Sequence, residues 1–317
     1  MKNASLFIAK NVALLHHPLC NLIVKSHIFY GLQFGADFEK PKAMHVVHFS
    51  FSTNLKKLTK KLSLFNKALP GDCSFIGKIP SSLFNLTKLE YLYLSGNRFL
   101  DELPTSIGNF ASLKTLEIYS INSSGTIAAF GNLTQLSSLT ISGSNLVGEI
   151  PSVFMNLTQL TNLDLSQNQL TGHIPVEINN LTQLQYLQFS SNQLEGSVPS
   201  SIFELRNLET LDLSFNNLSG TVDLNMFLLS LKRLNTLVLS SNKMSLLTEA
   251  TVNTYSKNIN VIGLRSCNLT EFPHFLYNQK FLDSVDLSSN RIAGQVPGWF
   301  LNNVLVHAFS FSKPERI

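Results

Sequence analysis

The feature that most constrains this 317-residue chain is a unit of about 24 residues that recurs between residues 73 and 297. Its cleanest copy, LTQLTNLDLSQNQLTGHIP (157–175), places Leu160, Leu163, Leu165, Asn168, Leu170, Gly172, Ile174 and Pro175 in the pattern LxxLxLxxNxLxGxIP. Aligned on the Asn of that pattern, the copies fall at Cys73, Asn97, Ile121, Ser144, Asn168, Asn192, Asn216, Asn242, Cys267 and Asn290, in steps of 24, 24, 23, 24, 24, 24, 26, 25 and 23. So regular a period means one supersecondary unit used repeatedly. A unit that short cannot bury its own apolar residues and must stack on its neighbours.

Within the unit, the segment LDL alternates: Leu163 and Leu165 point one way and Asp164 the other, as a half-buried strand requires. The spacing is that of the leucine-rich repeat. Stacked copies predict a right-handed solenoid of about ten repeats, with short parallel strands on the concave face and an irregular or short helical outer arm. At the usual strand separation the inner face is about 45 Å long. The Asn that ends each strand turns the chain away from the sheet. A buried amide needs partners, so it is expected to bond the backbone of its own turn and of the next repeat. Cys73 and Cys267 take that place as small, weakly polar residues. After the turn, Gly172 permits a bend and Pro175 pre-sets the next step. Leu83, Phe84 and Leu86, or Ile178 and Leu181, then have the spacing of a short helical turn seated on the core.

These phases place a repeat domain at 65–300, preceded by an atypical segment at 1–64, poorly ordered or helical, and followed by a non-repeat tail at 301–317. The first copy is only half present, with Phe65, Ala68 and Pro70 where strand leucines belong. The copy at Asn216 exchanges its proline for Asp223, and the copy at Asn242 lacks GxIP and leads into a longer stretch at 246–257. The N-terminus starts basic, but its apolar run is broken by Lys10, His16 and His17, short of a secretory signal core. No uncharged apolar run reaches the length of a membrane span. The segment NLKKLTKKLSLF (54–65) reads as an amphipathic basic helix over the first repeat, with an anionic membrane surface as the alternative partner. Lys56, Lys57, Lys60 and Lys61 supply much of the net charge of +4, so the repeats carry no nucleic-acid footprint.

The sequence holds no phosphate loop, HExxH, GxSxG or kinase motif, which argues against an enzyme and against a small-molecule cofactor. Three cysteines give no paired framework, and His45 and His48 lack a third metal ligand. What remains is a binding surface: the residues between the strand leucines. Tyr91, Tyr93, Glu117 and Tyr119 form an aromatic patch with an acid, of the kind favoured at interfaces. Asp164, Tyr186, Gln188, Asp212 and Arg265 extend the face. Aspartate is also a plain solvated residue at its place in such strands, so the tyrosines weigh more. Sequons stand at Asn3, Asn85, Asn122, Asn132, Asn156, Asn180, Asn217 and Asn268, and those at Asn85, Asn132, Asn156 and Asn180 share one phase on the outer arm, where a glycan points to solvent.

The GxIP copies at 77–80, 148–151, 172–175 and 294–297, with DCSFIGKIPSSLFNLTKLEYLYLS (72–95) and LRSCNLTEFPHFLYNQKFLDSVDLSSNRIAGQVPGWF (264–300), carry a family resemblance. The chain resembles the extracellular region of plant leucine-rich-repeat receptor-like proteins, the class that includes disease-resistance receptors. That resemblance implies a non-catalytic ectodomain at the plasma membrane or outside the cell, acting in defence or developmental signalling. Its ligand would be a peptide, protein or glycan on the concave face, its signalling partner a co-receptor kinase. It also implies Cys-paired caps, an acidic juxtamembrane piece and a membrane helix. None is evident here, so the expectation is the middle slice of an ectodomain, poorly soluble alone because uncapped ends expose core leucines. The alternatives are a secreted protein resembling polygalacturonase inhibitors and a truncated product without function.

Overall fold

The computed structural model describes residues 67–68, 76–77, 81–94, 98–99, 104–119, 127–248, 259–279, 281–303 and 308–311. The basic segment at 54–65, Cys20, Cys73, His45, His48, Asn3 and Asn122 lie outside the described residues.

The repeat pattern becomes a leucine-rich-repeat solenoid. Among the described residues, eleven parallel strands form one sheet whose spatial order is their chain order. They run from Lys67–Ala68 and Tyr91–Tyr93 through Thr115–Tyr119, Ser138–Ser142, Asn162–Asp164, Tyr186–Gln188, Thr210–Asp212, Thr236–Val238, Val261–Gly263 and Ser284–Asp286 to Ala308–Ser310. Register follows the period: Leu187 lies opposite Leu163 on one side and Leu211 on the other. Leu92, Leu116, Leu139, Leu163, Leu187, Leu211 and Leu237 are fully buried and stack into one column. Burying each such side chain favours folding by about 1.5–3 kcal/mol.

The first strand forms although its leucines are replaced, because Lys67–Ala68 needs only backbone groups to pair with Tyr91 and Leu92. The sheet also reaches past residue 300, where the sequence pattern ends. A helix at Gly298–Asn303 leads into Ala308–Ser310, which pairs with Ser284–Asp286, and Phe309 and Phe311 pack against the core in place of leucines.

On the outer arm, a proline at the end of GxIP, or at the equivalent place in copies without its glycine, opens a one-turn 3-10 helix. The carbonyls of Pro104, Pro151, Pro175, Pro199 and Pro273 accept from the N–H three residues on, at 3.0–3.2 Å. Leu83, Phe84, Leu86, Ile178 and Leu181 are buried beneath these turns, as their spacing predicts. A second set of short parallel strands, which the sequence pattern does not announce, lies between turn and helix: Val147–Glu149 with Gln169–Thr171, and Glu195–Gly196 with Asn217–Asp223 and Lys243–Leu247. The glycines of GxIP sit within or beside these strands at positive φ, for example Gly148 at 90° and Gly172 at 72°. No helix among the described residues is long and apolar enough to cross a membrane.

The ladder asparagines fix successive turns. Asn168 donates through Nδ2 to the carbonyls of Leu165 and Ser166 in its own turn and to Ile141 in the preceding repeat, while its Oδ1 accepts from the N–H of Ser144 and Leu146. Asn192 and Asn290 repeat the arrangement. The partner is thus the preceding repeat, where the sequence reading expects the next. From Asn168 to Asn290 the residue before the ladder position (Gln167, Ser191, Phe215, Ser241, Ser266 and Ser289) has φ of 54–58°, a bend that precedes the turn. Cys267 is buried in the same place, and its thiol lies 3.6 Å from the Leu239 carbonyl and 3.5 Å from that of Arg265.

Candidate functional site

The strands present two columns of outward residues, Tyr91-Thr115-Ser138-Asn162-Tyr186-Thr210 and Tyr93-Glu117-Thr140-Asp164-Gln188-Asp212, each pair in direct register. The side-chain period of two that buries Leu92 and Leu116 leaves these positions facing away from the core. Tyr93 is therefore the cross-strand partner of Glu117, and Tyr119 stands two residues along the same strand.

The electrostatics show that these groups share one environment. Burial pushes the Tyr93 phenol above its usual range, and the carboxylate of Glu117 and the neighbouring Tyr91 push it further. Burial raises Tyr119 in the same way, followed by Glu117 and then Asp164, with a hydrogen bond to Thr140 opposing. Negative potential disfavours a phenolate, so both rings remain neutral donors across the physiological range. Tyr91, Tyr93, Glu117 and Tyr119 thus come together as one patch, with Asp164 within its field.

The remaining residues of the face are spread out. Tyr186 is exposed and its hydroxyl donates to Glu209 Oε2 at 3.3 Å. Gln188 lies between Asp164 and Asp212 in register. Asp164 and Asp212 each use one carboxylate oxygen to accept the N–H of Ser166 or Ser214 at 2.9 Å, which fixes the end of their own strand. Arg265 is exposed but belongs to the repeat of Val261–Gly263, six strands beyond Glu117 and therefore about 30 Å away. It does not join the patch.

Beside the tyrosines lies a polar floor. Asn162 donates to Ser138 and Thr140 at 3.3 Å, and the Ser142 and Ser166 hydroxyls are 3.0 Å apart. Thr140 and Ser142 are buried. Serine and threonine carry no periodic signal that distinguishes such a floor from a solvated strand face, so only the register reveals it. The described sequons Asn85, Asn132, Asn156, Asn180, Asn217 and Asn268 are all exposed. Among the described residues no group of three or more His, Cys, Asp or Glu is placed to hold a metal ion.

The family model described as Leucine Rich Repeat matches residues 88–110, 159–181, 183–205 and 207–228. Receptor-like protein 6 of Arabidopsis thaliana is 46% identical over 77 residues, 24% of this chain and 8% of that protein. The chain is similar to plant leucine-rich-repeat receptor-like proteins. Two solved structures of this architecture resemble the chain over most of its length. The ectodomain of the Arabidopsis receptor kinase HAESA with an N-terminally extended IDA peptide hormone superposes with a TM-score of 0.66 at 33% identity, covering 80% of this chain and 44% of that one. HAESA with IDA and the co-receptor SERK1 gives 0.61 at 30% identity, covering 78% and 46%. The chain therefore spans under half of these ectodomains, and its aligned stretch is less than a tenth of the length of receptor-like protein 6.

Proposed function

We propose that this chain is a ligand-binding segment of a cell-surface receptor that takes up an extended peptide on its concave face and has no chemistry of its own. The observation that carries the reading is the sheet itself: in-register columns of outward side chains with a tyrosine-rich patch at Tyr91, Tyr93, Glu117 and Tyr119. Aromatic anchors supply large contact area at small conformational cost. A continuous strand face also offers regularly spaced subsites to an extended chain. The similarity to an ectodomain that carries a peptide hormone supports a peptide over a bulk protein or a glycan, and the SERK1 complex of that same protein supports a co-receptor kinase as the signalling partner. Defence or developmental perception at the plasma membrane is the setting this implies. The exposed sequons fit it, with Asn85, Asn132, Asn156 and Asn180 each ending a 3-10 turn on the outer arm, where a glycan leaves the concave face clear.

The test is selection of a random 12-residue display library on the secreted, glycosylated chain. Peptides whose affinity drops at least tenfold on Tyr93→Ala or Tyr119→Ala support the reading. Selected peptides that bind both variants as well as the parent overturn it.

A further inference from the structure

The chain as a whole carries a net charge of +4, yet its sheet face has the opposite sign. From Tyr91–Tyr93 to Ser284–Asp286, the two outward columns contain Glu117, Asp164, Asp212 and Asp286 and not one Lys or Arg, and the column of Tyr119 adds only Arg265, six strands beyond Glu117. Lys114, at the edge of this face, is neutralised by Glu90 at 3.0 Å. Glu117, the acid of the aromatic patch, is the cross-strand partner of Tyr93 and stands two residues before Tyr119 on its own strand, and both phenols are neutral. A carboxylate flanked by aromatic rings complements a cation in two ways, through charge and through the negative faces of the rings.

We propose that the occupant of this patch is a basic side chain, arginine or lysine, of an extended peptide, with Glu117 as its counter-charge and Tyr93 and Tyr119 as its walls. The proposal rests on the concave-face reading above and adds the ligand's chemical class. An anionic peptide segment or a free peptide carboxylate would meet repulsion from Glu117 and Asp164 and would find no guanidinium or ammonium in either column. Asp164 and Asp212, held by their own serines, extend the negative field along the sheet, so a second basic residue further along the peptide gains from the same potential.

Peptides from the same 12-residue library are sequenced and then resynthesised with each Arg or Lys replaced by Gln. Enrichment of Arg or Lys, with at least a fivefold loss of affinity on that replacement, on Glu117→Gln or on Thr115→Lys, is the expected result. Thr115 is the cross-strand neighbour of Tyr91 and is only half-buried, on the outward side of its strand. Affinity should also fall when salt rises from about 50 to 500 mM, because the contact is electrostatic. Selected peptides that are neutral or acidic yet still depend on Tyr93 would overturn the basic ligand and leave the concave site standing. Peptides indifferent to both Tyr93 and Glu117 would overturn the two together. Circular dichroism identical to the parent shows that the variants are folded.

Discussion

At the scale of the residue, stability turns on buried polar groups that have one correct occupant. Asn192 holds the carbonyls of Leu165, Phe189 and Ser190 and accepts the N–H of Leu170, all within 3.3 Å. Asn192→Ala leaves those backbone groups buried without partners, at a cost of about 1–3 kcal/mol for a lost buried partner and more for several. We expect a loss of about 3 kcal/mol in urea denaturation. Cys267 makes the contrast within the same column. A thiol is a weak donor, and burial, with the charge of Asp286, pushes its pKa from 9.0 to about 12. The folded state therefore holds the proton where the unfolded chain releases it. The sign follows: this contribution is complete below about pH 9 and is lost as pH rises toward 12. In a Cys20→Ser, Cys73→Ser background, Cys267 should resist a thiol reagent at pH 8 until denaturant is added. Rapid labelling of the folded chain would show the site to be open.

At the scale of the element, the outer arm changes with one residue. Where proline ends GxIP, its extended backbone starts a 3-10 turn with no side-chain cap. Where Asp223 replaces it, the carboxylate accepts from Asn225 N at 2.8 Å, and a seven-residue α-helix, Leu224–Ser230, follows with Leu224, Phe227 and Leu228 buried. The loss of proline at this copy is thus an exchange of one helix start for another. Asp223→Ala should cost about 1 kcal/mol, the usual value of an N-cap. Asp223→Asn, which keeps the accepting oxygen, should cost less than half as much. Both are read from shifts in the denaturation midpoint at an unchanged slope.

At the scale of the whole molecule, each repeat is bonded to its two neighbours, so stability accumulates along the solenoid. Deleting residues 162–185 removes one period, joins Thr161 to Tyr186, and keeps both the strand register and the ladder phase. That variant should fold with the parent's circular dichroism per residue and a shallower denaturant slope, since less surface is buried. Deleting 162–173 instead cuts out half a period and breaks the phase of ladder and core. It should not fold. Equal behaviour of the two deletions would mean that the period is not what holds the sheet together.

The repeat, the buried leucine columns, the outward strand residues and the turns after each proline are legible in the amino-acid order alone, because they depend on spacing along the chain and on the periods of strand and helix. The same spacing brings Tyr91, Tyr93, Glu117 and Tyr119 together, since adjacent copies in a parallel sheet are adjacent in space. Spacing does not encode that the ladder amides reach back to the preceding repeat, that a second strand set lines the outer arm, or that aromatic residues after 300 continue the sheet. Each of these depends on which backbone groups lie within hydrogen-bonding distance once neighbouring repeats are packed. The polar floor around Thr140 and the remoteness of Arg265 have the same origin, for hydroxyl pairing and separation across strands are properties of the assembled face.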